Sequence, residues 1–332
     1  MGTATLVASV ESLAALKSEW NSVLSRSSAN TVFSTWDWQE IWWGAFGKGA
    51  EPLLIAIREA SELVGIAPLV KRASTISFVG GSDVSDYLDF ITVRGREQDV
   101  LVAVFDHLKR WEWDELDLHC VRHDSPTLQY LPGITRAHGL TYAQEVEDVC
   151  PVADLPSDWE MFVGSLSKKD RHELRRKIRR LEAADNFAWY VAPPAADTTA
   201  YIQDFFRLCS LSRHEKAVFL DDKHVEQFFR EMTQRFQPTG VLKIYFLEVG
   251  GERVSATLCF DQGRELWLYN SGFDPLYSNL SVGLLLKAFC IKDAIERGKT
   301  RFDFLRGREP YKYDLGGKDT AIYRLRIRKA VS

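Results

Sequence analysis

FDFLRGREPYKYDLG, residues 302–316, decides how this chain is read. Phe302 and Phe304 flank Asp303, the alternation of a strand with one apolar face. Gly307 and Pro310 end that strand, so Arg306, Arg308, Glu309, Tyr311 and Lys312 are expected on irregular backbone at its carboxyl end. Open α/β sheets hold ligands beyond the carboxyl ends of their strands. The side chains gathered here suit acid–base and anion chemistry: carboxylates that take protons, a phenol that gives one, cations that meet negative charge. The plain alternative is a charged surface loop with local ion pairs.

Upstream, residues 241–249, 252–260 and 264–271 read as three consecutive strands. A helix over 282–297 ends at Gly298, and a strand follows at 300–304. The first half has the same order: a hairpin at 52–58 and 62–70, a strand at 75–79, a helix at 96–110 and a strand at 114–119. Before these lie a strand at 3–9, a helix at 10–25, and a helix carrying Trp36, Trp38, Trp42 and Trp43 that Ser34 or Thr35 can cap. The shared order, without residue-level repetition, predicts two α/β domains of related topology. Residues 151–156 have linker character, which places the domains at 1–155 and 156–332.

Two further helices are expected at 196–215 and 222–236. A third, over 168–182, is the clearest electrostatic feature. Eight of the thirteen residues from 168 to 180 are Lys or Arg. Ser167 can cap it, and Leu174, Ile178 and Leu181 form one apolar stripe. The helix either attracts a polyanion or is a solvated face held by Asp170, Glu173 and Glu182. No aromatics are interleaved in the run, which weighs against readout of single strands.

Composition sets bounds. With 332 residues, 45% hydrophobic and 27% charged, the chain has apolar material for a sizeable core. A net charge of −4 gives no global pull toward nucleic acid or membrane. Five scattered cysteines without ligand spacing fit a reducing compartment. Seven histidines do not cluster with the acids, so no metal is expected. No apolar run approaches the ~18 residues of a membrane span. No basic segment precedes an apolar one at the start, so the expected location is the cytoplasm. Neither a Gly-x-Ser-x-Gly turn nor a Cys–His pairing suggests a nucleophilic enzyme.

The ordered combination of SGFDPLY at 271–277, LSVGLLL at 280–286, FDFLRG at 302–307 and Tyr311-Lys312 resembles the FemAB-like branch of the GNAT acyltransferases. More narrowly, it is similar to the acetyltransferase family named for the cellulose-biosynthesis protein CelD. The resemblance covers most of 160–329, and more faintly the Trp-rich helix and DYLD at 86–89. It implies tandem GNAT-like domains of mixed α/β sheets. The second domain would bind an acyl donor, acetyl-CoA or another acyl-CoA, and transfer its acyl group by direct attack in a ternary complex. An amine or hydroxyl of a small molecule, sugar or cell-envelope precursor would accept it. Other FemAB-like proteins take amino acids from aminoacyl-tRNA, which the basic helix 168–182 would then grip. A degenerate, non-catalytic binding module is the third reading.

On this resemblance, Asn270, Ser271 and Gly272 end a splayed, bulged strand that offers N–H groups to the donor carbonyl. Ser278, Ser281, Val282 and Gly283 stand where GNAT enzymes bind pyrophosphate, with Ser281 capping the helix. The Arg or Gln usual to that motif is missing. Asp303 or Glu309 would act as base or orienter, Lys312 and Arg306 would stabilise negative charge, and Tyr311 would donate a proton. Asp86, Tyr87 and Asp89, with Asp83 before them, would face the groove between domains and hold the acceptor, with Trp36 nearby. The alternatives are a self-bonded turn for the acids and core packing for the tryptophans.

Overall fold

The structure, a computed structural model, describes residues 6–329 except 185 and 196. In chain order the elements are β1 (Leu6–Val10), α1 (Leu13–Ser25), α2 (Trp36–Phe46), β2 (Glu51–Glu59), β3 (Glu62–Arg72), β4 (Thr75–Phe78), β5 (Ile91–Thr92), α3 (Glu97–Leu108), β6 (Glu115–Arg122), α4 (Pro126–Ala137) and β7 (Leu140–Val149). Then follow β8 (Val152–Asp154), α5 (Trp159–Ser165), α6 (Lys168–Glu182), β9 (Phe187–Val191), α7 (Thr199–Ser212), α8 (His214–Asp221), α9 (Lys223–Phe236), β10 (Leu242–Val249), β11 (Glu252–Gln262), β12 (Glu265–Phe273), α10 (Val282–Glu296), β13 (Arg301–Asp303), α11 (Pro310–Asp314) and β14 (Ala321–Lys329). Residues 3–5 of the strand expected at 3–9 lie outside the described residues.

The chain divides into two compact units, residues 1–148 with 321–332, and residues 149–320. Unit one holds a sheet in the order β1-β2-β3-β4-β6-β14-β7, with β5 on β3. Unit two holds the order β8-β13-β12-β11-β10-β9. Each contains the same motif: three consecutive antiparallel strands, a helix, and a strand parallel to the third. Two α/β units of related topology are what the repeated order predicts, and the fold is tandem GNAT-like, as the resemblance implies.

Two boundaries differ from expectation. The final strand belongs to unit one, where β14 pairs antiparallel with β6. Its alternation is interrupted by a register shift between Tyr323 and Leu325, so Ile322 and Leu325 are both buried at odd spacing. The Arg324 guanidinium meets Asp117 of β6 with two bonds of 2.7 Å. The expected linker at 151–156 instead contains β8, an edge strand paired with β13. Its ends are tied by Phe304 N–H donating to Pro151 O (2.9 Å) and Leu155 N–H donating to Thr300 O (2.9 Å).

The core of unit two lies between its sheet and α10. Leu285, Leu286, Ala288, Cys290 and Ile291 are fully buried on that helix. Lys287, in the midst of this apolar run, is also buried, at 6% exposure. A lysine so placed has no ordinary packing role.

Candidate active site

Strands β12 and β13 are parallel but pair only over Glu265–Trp267 and Arg301–Asp303. Beyond these residues the chain after Asp303 turns away, and β12 runs on to Phe273 without a strand on that side. The turn is built locally. Leu305 adopts a left-handed φ of 53°, and its N–H donates to Asp303 Oδ1 at 2.8 Å. On its other side β12 carries a bulge at Tyr269, where Leu258 faces Asn270 and Cys259 faces Leu268. A bulge re-aims the backbone that follows it. It falls one residue before the expected Asn270–Gly272.

Two lysines come to this opened strand end. Lys216 of α8 is half-buried and donates to Asn270 Oδ1 at 2.8 Å and Ser271 O at 2.5 Å. Lys287 of α10 donates to Gly283 O at 2.8 Å, and its ammonium lies 4.7 Å from the centre of the Tyr311 ring. Neither forms an ion pair among the described residues. Burial lowers both pKa values, and the charge of Lys216 lowers Lys287 further, to about 7. Burial raises the Tyr311 phenol well above its ordinary value, with the charge of Glu309 adding to the shift, so it stays protonated. Cys209, fully buried nearby, is pushed up to about 12 by burial, which rules out a ready thiolate.

The 305–312 loop is held from within. Lys312, 2% exposed, donates to Leu305 O (2.9 Å) and Arg306 O (2.7 Å). Its third contact is Glu309 Oε2 at 3.0 Å, an ion-pair contact that falls short of an aligned hydrogen bond. Burial works against the Glu309 carboxylate, but the charge of Lys312 outweighs it and holds the pKa below the usual range. The carboxylate partner of Lys312 is therefore Glu309, with Asp303 anchoring the strand end instead. Tyr311 and Lys312 do not sit on irregular backbone, as α11 forms one helical turn with Pro310 at its start.

Residues 168–313 match the family described as Acetyltransferase (GNAT) domain. Most of unit two therefore carries the match to a GNAT acetyltransferase domain. The chain's FemAB-like tandem fold recurs in solved structures of low identity. It is similar to FemX at 10% identity and a TM-score of 0.64, covering 96% of both chains. It is also similar to L-PGS from Bacillus licheniformis (12%, TM-score 0.61, covering 95% of this chain and 92% of that one). A tandem GNAT protein from the clavulanic acid biosynthesis pathway matches at 10% and 0.53, covering 97% and 98%. No curated protein matches the chain.

Against the GNAT pattern, the donor-side residues take unexpected roles. Gly272 is small because α7 passes there; a Cβ would lie 2.3 Å from the Cys209 backbone nitrogen. Gly283 is likewise a packing glycine, since a Cβ would meet the Phe273 ring at 2.7 Å. Ser281 does not cap α10 with its side chain. It adopts a left-handed φ of 57°, and its N–H donates to Ser278 O at 3.0 Å. The first-turn amides at Val282 and Gly283 remain the intrinsic orphan donors of a helix start.

In unit one, Asp89 accepts from Ser125 Oγ, from Thr127 Oγ1 (2.5 Å) and from Phe90 N–H (2.8 Å), so it fastens the start of α4. Burial raises its pKa to about 6. Trp36 is buried, donates its indole N–H to Leu13 O (2.8 Å) and lies under Lys17. Tyr87 is buried beneath the Arg122 guanidinium, and Asp86 is buried too. Asp83 lines a cavity of about 620 Å³ that also meets Trp42, Asp117 and His119, while Tyr87 and Asp89 line a much smaller one beside Arg122. Among the described residues no group of acids, histidines and cysteines could hold a metal, and no helix is long and apolar enough to cross a membrane. Lys216 and Lys287 escaped the sequence reading. The available signal was a lysine at 287 inside an otherwise apolar helix.

Proposed function

We propose that unit two transfers an acyl group to an amine or hydroxyl by direct attack in a ternary complex. The observation that carries this reading is the divergence of β12 from β13 beside two lysines that lack counter-charges. Backbone N–H groups past the Tyr269 bulge would meet the developing oxyanion, and Lys216 would supply positive charge as the leaving group departs. Lys287, whose ammonium form is disfavoured, would accept the proton that the nucleophile loses. Tyr311, kept protonated, would donate one to the leaving group. Lys312, Glu309 and Asp303 would position this loop without touching the reacting atoms.

An acyl-CoA thioester is the first candidate donor. A second reading, an aminoacyl ester, is supported by the absence of the motif's own Arg or Gln, whose place is approached instead by Arg180 of α6 bonding to Asn279 O (2.8 Å), and by the Phe273 ring packed on Gly283. A donor raises the melting temperature by mass action. We expect acetyl-CoA or a longer acyl-CoA to stabilise the chain, and free thiol to appear once an amine acceptor is added. A shift with aminoacyl-adenosine analogues alone would favour the second donor. Binding without any thiol release over a panel of amines and sugars would leave a binding module.

A further inference from the structure

Helix α6 concentrates positive charge. Its eight Lys and Arg against three Asp and Glu give +5, so the rest of a chain of net −4 carries −9. Most of that charge faces solvent, but Arg175 and Arg179 rim a groove of about 310 Å³ between α5, α6 and α10. Lys292 of α10 stands on the opposite rim. The groove carries aromatic surface. Trp159 is half-buried there, its ring stacked on Phe162 at 5.6 Å and 25°. Phe289 is backed by Trp189 at 5.2 Å and 10°. Trp159 is thus the ring that the groove exposes, while Phe289, buried under Trp189, closes its floor.

We infer that this groove binds a nucleoside phosphate. A planar base would lie against the half-buried Trp159 ring, and the phosphate would meet Arg179 and Lys292. Arg179 has no ion-pair partner among the described residues. Arg175 is engaged by Glu160 at 2.7 Å, but Glu160 is 68% exposed and free to swing. Two carboxylates, Glu160 and Glu182, line the same groove. They would repel a bare phosphate or an anionic lipid surface, yet each can accept from ribose hydroxyls or an exocyclic amine. Aromatic, cationic and acidic groups together therefore select a nucleoside phosphate over a simple anion. The volume is at the small end of ligand pockets, which run ~300–1,000 Å³, and suits one such group. The site differs from the start of α10. Lys292 lies ten residues beyond Val282, about 15 Å along the helix axis. The claim stands whether or not unit two transfers acyl groups, since its test reads binding.

The same chemistry can come from a free nucleotide, from coenzyme A, or from one residue of an RNA chain. Calorimetric titration of the full chain with ADP, adenosine, inorganic phosphate, coenzyme A and a short single-stranded RNA separates these. We expect saturable binding of at least one base-bearing phosphate, with adenosine and phosphate each at least tenfold weaker. Arg179→Glu should weaken that ligand about tenfold or more and flatten its salt dependence. Trp159→Ala should cost about tenfold as well. Because Trp159 also packs on Phe162, Lys292→Glu, a substitution at an exposed rim, gives the independent check. Phosphate binding as tightly as ADP would overturn the inference, as would nucleotide affinity that Arg179→Glu and Lys292→Glu both leave intact. Loss of all binding in a melted Trp159→Ala chain is read through the two rim variants.

Discussion

The two units open the same pair of strands and treat the charges there in opposite ways. In unit one, β4 and β6 pair in parallel only at Thr75–Glu115 and Ile76–Leu116 before parting. The ionisable groups beyond that point are neutralised. Asp117 is held by Arg324, and His119 stands between Asp117 (3.2 Å) and Glu147 (2.8 Å). Its bonds to Asp117 and Glu147 raise the His119 pKa to about 9. In unit two, the corresponding β12–β13 opening holds Lys216 and Lys287 against carbonyl and amide oxygens and the Tyr311 ring, with no ion pair to either among the described residues. A buried charge with a partner is structural; one without a partner is costly and suggests work to do. On the function proposed above, the difference would give unit one a structural role and unit two the chemistry.

Four substitutions bear on that contrast. The largest effect is expected from Lys312→Ala, which leaves the half-buried Glu309 without its cation, empties a buried position and unties Leu305 and Arg306. Stability should fall by about 3–5 kcal/mol, and turnover should fall with it, as read by denaturant melts and initial rates. A well-folded variant with wild-type rate would remove the loop from the site. Lys216→Met should lower the transfer rate on the order of 100-fold with the melting temperature kept, because no ion pair is broken. Equal loss of melting temperature would make Lys216 a packing residue like those of unit one.

Lys287→Met should move stability and activity in opposite directions. The folded pKa, about 7, lies below the ordinary lysine value of 10.5, so the unfolded chain binds more protons between these values. Wild-type stability should therefore rise with pH across that window and level off below about pH 7. The methionine variant should lack this slope. At neutral pH it should be more stable by on the order of 2–4 kcal/mol, and slower in transfer. Urea midpoints from pH 6 to 10 check the sign, and a variant with unchanged slope would refute the buried-amine account. The smallest effect is expected in unit one. Arg324→Met should cost about 1–2 kcal/mol and leave turnover unchanged; a loss of rate without a loss of stability would give unit one a direct part in the chemistry.

Much was legible from local pattern. The helix over 168–182 has the expected bounds, because Ser167 accepts from the Asp170 N–H (3.2 Å) and Leu174 and Leu181 bury one stripe. The three strands before α10, and α10 itself, were set by alternation and by Gly298. The helices expected at 196–215 and 222–236 became three, since the chain breaks at Arg213 with an extended φ and ψ. What escaped was non-local. Strand β14 finds its place only through β6, some two hundred residues earlier, and its bulge hides the alternation. Strand β8 is too short to have a pattern.

Sequence alone determined the order of strands and helix repeated in the two halves and the chemical character of residues 302–316, because periodicity, caps and turn residues act within a few positions of one another. It also singled out Asp303, Glu309, Tyr311 and Lys312 as a group. Only the tertiary structure decided their partners. Lys312 closes on Glu309 and two carbonyls, Gly283 serves Phe273, and Asp89 serves Ser125, all through contacts set by packing. The same packing drew Lys216 and Lys287 from separate helices to one strand end. Their ionisation is shifted by desolvation and by neighbouring charges, that of Lys216 on Lys287 among them, and both depend on distances that no stretch of sequence contains.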